Sequence, residues 1–287
     1  MTTLDEEFEV LFGDYKTGVD AILQETADRI DELYRAASKP GARPPWMDLF
    51  NRISSQTHMA PFNLMLADLQ RPGARYVAFP DKWREIGRTV KPAAIPIVVL
   101  WPFCPVRCAY ELADTTGDPV DDAALDRVFG EPVAIREGLI DRVARRALKE
   151  DRIDVKSVSL ASTLAGDARA VEVDPKAKGK PTGPGWVVRV NSNLNANAQF
   201  TTLVHELAHV YLGHLGGNGK KWPNRRPHQL DVREFEAEAV TFIVCKRFGL
   251  NSNSAEYLYG YLKEKTIESV SHSAIARAAG RIEQHAR

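Results

Sequence analysis

Apolar positions recur at helical spacing at Phe8, Leu11, Phe12, Tyr15, Val19, Ile22, Ile30 and Leu33, which predicts one long helix over residues 5–37. The Pro/Gly stretch SKPGARPP, Ser38 to Pro45, breaks that pattern and reads as a linker. A helical pair is predicted next, over Trp46 to Gln56 and Pro61 to Leu69. Ala94 to Trp101 and Cys108 to Ala113 are β-rich and separated by Pro/Cys turns, giving a strand pair. Leu125 to Ile153 reads as mostly helical, with Ile140, Val143, Ala144 and Leu148 on its inner face. A hairpin is expected from Ala168 to Val173 and Trp186 to Val190, across the basic loop DPKAKGKPTGPG. Helices then follow at Thr201 to His214 and Leu230 to Phe248, with shorter ones at about Ser254 to Lys263 and Ser273 to His285.

The segment TTLVHELAHVYLGH carries the chemistry. His205 and His209 are four residues apart on one helix face, with Cβ atoms about 5–6 Å apart, which suits two imidazoles closing on one zinc ion. Glu206 lies beside the first of them and is placed to take a proton from a water whose pKa the ion lowers to about 7. The surrounding residues are apolar, and burying two histidines and a glutamate among them without partners or a metal is costly. The asparagine-rich turn Asn191 to Asn197 offers N-caps, and Gly213 with Gly216 and Gly217 ends the helix. Hydrolysis assisted by zinc is the chemistry implied.

A third ligand is needed, and His214, Glu234, Glu236 and Glu238 are available. His214 stands about 180° around the helix from His205 and joins the pincer only if the helix breaks at Gly213. Its spacing does not fit the metzincin pattern. Glu234 and Glu238 share a face that continues through Phe242 and Cys245, and Glu236 is turned away from it, so substitution of Glu236 is expected to change nothing. If Glu238 binds the metal, Glu234, one turn earlier, or Asp231 before it is suited to accept the second ring N–H of a ligand histidine. Candidates for stabilising a developing oxyanion are His228, on the loop GGNGKKWPNRRPH, and Tyr211, on the metal helix.

Charge and composition alter this picture only locally. The 38 Lys and Arg balance the 38 Asp and Glu over 287 residues, so no global field draws in nucleic acid. Between Arg71 and Lys91, however, Arg71, Arg75, Lys82, Arg84, Arg88 and Lys91 outnumber Asp81 and Glu85, with Tyr76, Phe79 and Trp83 interleaved. Basic side chains attract phosphates and aromatic faces stack bases, a mixture suited to single-stranded DNA. The predicted first helix is acidic, with only Lys16 and Arg29 against ten carboxylates up to Tyr34. No apolar run approaches a membrane span and the beginning, MTTLDEEFEV, is unlike a secretory signal, so a cytoplasmic protein is expected. Cys104, Cys108 and Cys245 are read as free thiols.

The pairing of HELAHVYLGH with Glu238-Ala239-Val240-Thr241-Phe242 resembles the ImmA/IrrE-type metallopeptidases. That resemblance implies an α+β fold, a small sheet with the HExxH helix and a Glu helix, and a gluzincin-like zinc peptidase acting on a protein, with His205, His209 and Glu238 as ligands and Glu206 as general base. Phe62-Asn63-Leu64 followed by LQRPGARYVAFPDKWREIGRTVK, and the tail SAEYLYGYL with AIARAAGRIE, resemble the ArdC-type antirestriction proteins. These imply single-stranded DNA binding by Arg71, Arg75, Lys82, Trp83, Arg84, Arg88 and Lys91, with the metal structural or weakly active as the alternative. Lys91 is followed by Pro92-Ala93-Ala94 where that family has Gly-Glu. The expected domains are an acidic arm and linker (1–45), an ArdC-like region (46–160) and a metallopeptidase domain (161–287).

Overall fold

A computed structural model describes residues 28, 31, 32, 45–101, 104–135, 137–171, 185–219, 221–250, 254, 258 and 269–287. Most of the expected acidic helix and of the helix at 254–263 lies outside them. Two helices, α1 (Pro45–Ser55) and α2 (Pro61–Gln70), begin at prolines, whose missing N–H costs nothing in a first turn. They are followed by β1 (Val77–Ala78), the short α3 (Pro80–Glu85), β2 (Arg88–Val90), β3 (Ile97–Trp101), β4 (Cys104–Glu111) and β5 (Thr115–Gly117). β4 lies between β1 and β3, antiparallel to both, and β2 pairs with β5.

The outer edge of β3 is covered from α2. Asn63 and Gln70 each accept from one backbone N–H and donate to the carbonyl of the same residue, Asn63 at Leu100 (3.1 and 3.0 Å) and Gln70 at Val98 (2.8 and 2.7 Å). The two amides therefore stand in for a neighbouring strand and remove the free edge that would otherwise template pairing.

The single helical stretch expected over 125–153 is two helices, α4 (Asp122–Phe129) and α5 (Leu139–Asp151). Asp121 caps α4 through Ala124 N–H at 2.6 Å. Gly130 ends it where a Cβ would meet the carbonyl oxygens of Asp126 and Ser55 at 2.7 and 2.8 Å. The chain leaves α5 through Arg152 in the left-handed region (φ 61°) and enters β6 (Ile153–Val158). β6 was not anticipated. It pairs in parallel with β8 (Trp186–Asn191), which also pairs with β7 (Gly166–Ala170) as the expected antiparallel hairpin.

β8 leads into α6 (Ala196–Tyr211), capped by Asn195 through Ala198 N–H at 2.9 Å. Then come α7 (Leu230–Arg247) and α8 (His272–Ala286). The fold is α+β, with small sheets set against helices. The boundary expected at 160 falls just after β6, whose partner is β8. One apolar core joins Phe50 and Met65 to Ile153, Leu207, Ile243 and Ile282, so residues 46–160 and 161–287 share an interior. Among the described residues no helix is long and apolar enough to cross a membrane.

Buried ion pairs pin α8 to this core. Arg247, fully buried, donates to Glu283 and to the carbonyls of Ile53, Gln56, Thr57 and Met59. Asp151, also fully buried, accepts from Tyr211 (3.0 Å), Lys221 (2.8 Å), Arg281 (2.9 Å) and His285 (2.9 Å). Burial alone raises a carboxyl pKa, but these donors outweigh it and hold Asp151 well below its ordinary value of 3.8. A depressed carboxylate contributes stability above its unfolded pKa and loses it as pH falls toward the folded one. Asp151→Ala is therefore expected to cost about 3–5 kcal/mol in urea unfolding at pH 7, with a smaller loss below pH 4. Equal losses at both pH values would show that the charge is not what stabilises.

Candidate metal centre

The centre is built from α6 and α7, which pack side by side. Leu203, Val204, Leu207, Ala208 and Val210 of α6 are wholly buried. His205 and His209 stand on a face with partial access, their side chains 21% and 12% exposed. Their Nε2 atoms are 3.2 Å apart. Glu234 of α7 places one carboxylate oxygen 3.5 Å from Nε2 of His205 and the other 3.6 Å from Nε2 of His209. Among the described residues, His205, His209 and Glu234 are the group whose donor atoms all lie within 4.8 Å of one another.

Ligands about 2.0–2.2 Å from one zinc ion at a tetrahedral angle stand roughly 3.3–3.6 Å apart. The Nε2–Nε2 separation of 3.2 Å is close to that figure and each Nε2 has an oxygen of the Glu234 carboxylate at a similar distance, and two nitrogens with one carboxylate are a donor set that a divalent zinc-like ion takes. The residues present therefore fit such an ion.

The charge states agree with the geometry. Burial disfavours a charged His205, yet its hydrogen bonds to Glu234 and Glu238 outweigh this and raise its pKa to about 10. The contact to His205 above all holds the Glu234 carboxyl well below its usual range. Without a metal, His205 thus keeps a proton between these carboxylates, at the point where an ion would otherwise sit. Burial pushes the Glu206 carboxyl up, with the nearby histidines opposing it.

Glu238, expected from resemblance to be the third ligand, occupies a different position. Its Oε1 lies 3.3 Å from Nδ1 of His205, the ring nitrogen turned away from His209 and Glu234. The two glutamates are one turn apart, and the way α7 sits against α6 brings Glu234 to the Nε2 atoms and Glu238 behind the first ring.

Glu236 is far from inert. It is fully buried and accepts from Arg225 (2.7 and 2.5 Å), from the Ser271 backbone N–H (2.7 Å) and from His214 Nε2 (2.9 Å). The sequence reading placed it on an outward face because the covering segments, Arg225 on the loop and Ser271 before α8, are distant in sequence. Arg225 was missed altogether. It is carried inward because the loop folds back on Gly213, whose φ of +77° turns the chain and whose carbonyl accepts from Arg225 N–H at 2.9 Å. This break also brings Nδ1 of His214 to 3.0 Å from Nδ1 of His209. Burial lowers the His214 pKa to about 4 despite Glu236, so His214 is neutral at pH 7.

Other expected site residues lie elsewhere. The Tyr211 hydroxyl is donated to buried Asp151, and this tyrosine is 6% exposed. Half-buried His228 lines a cavity of about 460 Å³ with Tyr211, Trp222 and Arg225, a lining that includes none of His205, His209 and Glu234. Neither of the two is seen at the pincer.

In the basic stretch, Trp83 is fully buried, packs on Phe129 with centroids 5.0 Å apart and donates to the Tyr110 carbonyl at 3.0 Å. Tyr76 is buried as well, donating to Asp126 at 2.7 Å, so neither offers a face for a base. Arg71 pairs with Asp114, Arg75 with Asp122 (3.2 Å) and Lys82 with Glu85 (2.7 Å). Arg88 bonds Thr115 and the Asp118 carbonyl, Lys91 bonds the Ala113 carbonyl, and Arg84 is exposed. For Tyr76 and Trp83 the expected alternation of basic and stacking side chains is an alternation of surface and core, and half-buried Phe79 lies under Arg107, whose guanidinium carbon is 3.9 Å from the Phe79 ring centroid.

β7 supports the centre from the side of Glu206. A Cβ on Gly166 would lie 2.6 Å from Thr202 Cγ2, 2.7 Å from the Arg189 carbonyl oxygen and 3.3 Å from Glu206 Cγ. Only glycine lets the strand approach α6 this closely.

With the geometry in place, comparison with known proteins adds the following. Residues 166–258, which include β7, β8, α6 and α7, match the IrrE N-terminal-like domain, Peptidase_M78. The ImmA/IrrE resemblance read from the motif is thereby borne out over that segment, and a peptidase-type domain carries the pincer. The Mn(II)-bound and metal-free crystal structures of the antirestriction ArdC protein from the R388 plasmid are similar to the chain at 15% and 16% identity. Each similarity covers 92% of this chain and 97% of the other, with TM-scores of 0.37 and 0.38. No curated protein matches the chain.

Gly166→Ala is expected to lower stability by about 1–3 kcal/mol through overpacking against α6. Gly185→Ala, with nothing within 4 Å of its added carbon, should leave the denaturant midpoint unchanged. Equal midpoints for the two variants would contradict the close approach.

Proposed function

We propose that the chain is a zinc-dependent endopeptidase in which His205, His209 and Glu234 hold the ion and Glu206 is the general base. The observation that carries this reading is the convergence of two Nε2 atoms and one carboxylate, with donor atoms all within 4.8 Å of one another, as a zinc ligand set requires. Three protein ligands leave a fourth position open, the arrangement of catalytic rather than structural sites. An ion bound there lowers the pKa of water to about 7 and polarises the scissile carbonyl.

The chain's own residues supply the rest. Glu206, next to His205 on the same helix, accepts a proton at the attack step and returns it to the departing amine; its burial raises its proton affinity toward that use. Glu238, which the resemblance implied to be a ligand, takes the outer role expected of Glu234 or Asp231, accepting the Nδ1–H of His205 and thereby fixing which nitrogen faces the ion. β7 pairs with β8 on one side, and its other edge is suited to receive a substrate segment in extended form by main-chain pairing. The competing reading as a single-stranded DNA-binding protein rests on Arg71 to Lys91. With Trp83 and Tyr76 in the core, no observation favours it over the peptidase.

The test is metal content together with proteolysis. Wild-type protein should hold about one zinc per chain, Glu206→Gln should keep that zinc and lose peptide cleavage, and Glu234→Ala should lose the zinc. Glu238→Ala should bind it about 10–100-fold more weakly. Full occupancy in Glu234→Ala with none in Glu238→Ala would restore the assignment implied by the resemblance and overturn this one.

A further inference from the structure

A chain of contacts behind His209 begins at a carboxylate, and each link dictates the next. Glu236 takes two guanidinium donors from Arg225 and the Ser271 N–H, so it is ionised and its oxygens only accept. His214 Nε2, 2.9 Å from that carboxylate, must therefore carry a hydrogen. Arg225 already balances that carboxylate's charge through two hydrogen bonds, so His214 supplies it a single N–H and Nδ1 of His214 presents a lone pair. The nitrogen 3.0 Å away, Nδ1 of His209, must then be a donor. Its one hydrogen is thereby committed, and Nε2 of His209 presents a lone pair toward His205 Nε2 and Glu234.

We infer that His214 is a positioning residue: anchored on Glu236, it selects the His209 tautomer that offers Nε2 to the metal. Arg225 and the Ser271 amide act one step further out by holding the carboxylate. An intervening ring is needed because Glu236 is two residues, roughly 200° of helix, from Glu234 and faces the far side of His209. The two ligand histidines are thus oriented by different devices, His205 by Glu238 directly and His209 by Glu236 through a second imidazole. The inference rests on the peptidase reading for what meets the lone pair. The tautomer is a property of the metal-free chain.

Imidazole nitrogen spectra of the full-length, metal-stripped, ¹⁵N-histidine protein at neutral pH test it directly. His209 should be protonated at Nδ1 and bare at Nε2, and His214 the reverse. A hydrogen on Nε2 of His209 overturns the inference whatever the protein binds. In parallel, zinc affinity is measured by chelator competition on folded variants. His214→Ala should bind about 10–100-fold more weakly, and His214→Asn, whose side-chain oxygen can accept from His209 Nδ1, should recover most of the loss. Unchanged affinity in His214→Ala, or equal loss in both variants, counts against the role. Should His214→Ala fail to fold, the wild-type spectrum and the Asn variant decide. A wild-type chain with the stated tautomers but no zinc affinity would sink the peptidase reading and leave the relay supported.

Discussion

Three electron-rich atoms, the Nε2 nitrogens of His205 and His209 and an oxygen of Glu234, stand within a few ångströms of one another on a helix pair whose other faces are packed apolar. At that range their lone pairs repel unless a proton or a cation lies among them. The metal-free chain meets this with a proton, which is why His205 holds one up to about pH 10. A divalent ion satisfies all three donors at once and displaces that proton, so binding the metal and losing the proton are one event. The packing of Leu203, Val204 and Leu207 on Ala239, Val240 and Ile243 is what keeps the donors from relaxing apart. Apolar burial at about 25 cal/mol per Å² is the term that offsets holding them together.

Around this pair the protein places further charges where they would be unstable alone. Asp151, Glu236 and Glu283 are buried carboxylates, and each is met by an arginine distant in sequence: Arg281, Arg225 and Arg247. All three contacts involve α8 or the residue before it, through Arg281 and His285, the Ser271 amide, and Glu283. Well-packed apolar residues often stabilise as much as such pairs, whereas losing one partner is severely unfavourable. Their consequence here is positional, since a shift of α8 along its axis would strand a buried charge at three places.

The sequence made legible what depends on local geometry. The pincer is an i, i+4 relation on one helix, and the face shared by Glu234 and Glu238 follows from periodicity. The choice between those glutamates does not, because they differ by about 40° around α7 and only the docking of α7 on α6 decides which reaches the Nε2 atoms. β6 was not anticipated because its place at the sheet edge beside β8 comes from a parallel pairing across more than thirty residues. Trp83 looked like a stacking platform because composition does not reveal which way a ring turns. Phe129, the ring that encloses it, is forty-six positions on. Tyr211 sits on the right helix but on the side that meets Asp151.

The N-terminus of α8 ties these layers together. Unpaired N–H groups and the positive end of the helix dipole make that terminus a place where carboxylates are stable. Two occupy it: Glu236 accepts from Ser271 N–H at 2.7 Å, and Asp31, from the segment before the linker, accepts from Ser273 N–H at 3.1 Å and from the Ser271 hydroxyl at 2.6 Å. Ser271 is thus bonded to both, through its amide to the carboxylate that anchors His214 and through its hydroxyl to Asp31. Because the same residue also caps α8 through Ala274 N–H at 3.1 Å, the start of this helix cannot move without disturbing the group behind His209. The metal centre is accordingly supported from behind by a helix terminus some sixty residues further along the chain, which is itself held by Asp31, 240 positions before Ser271.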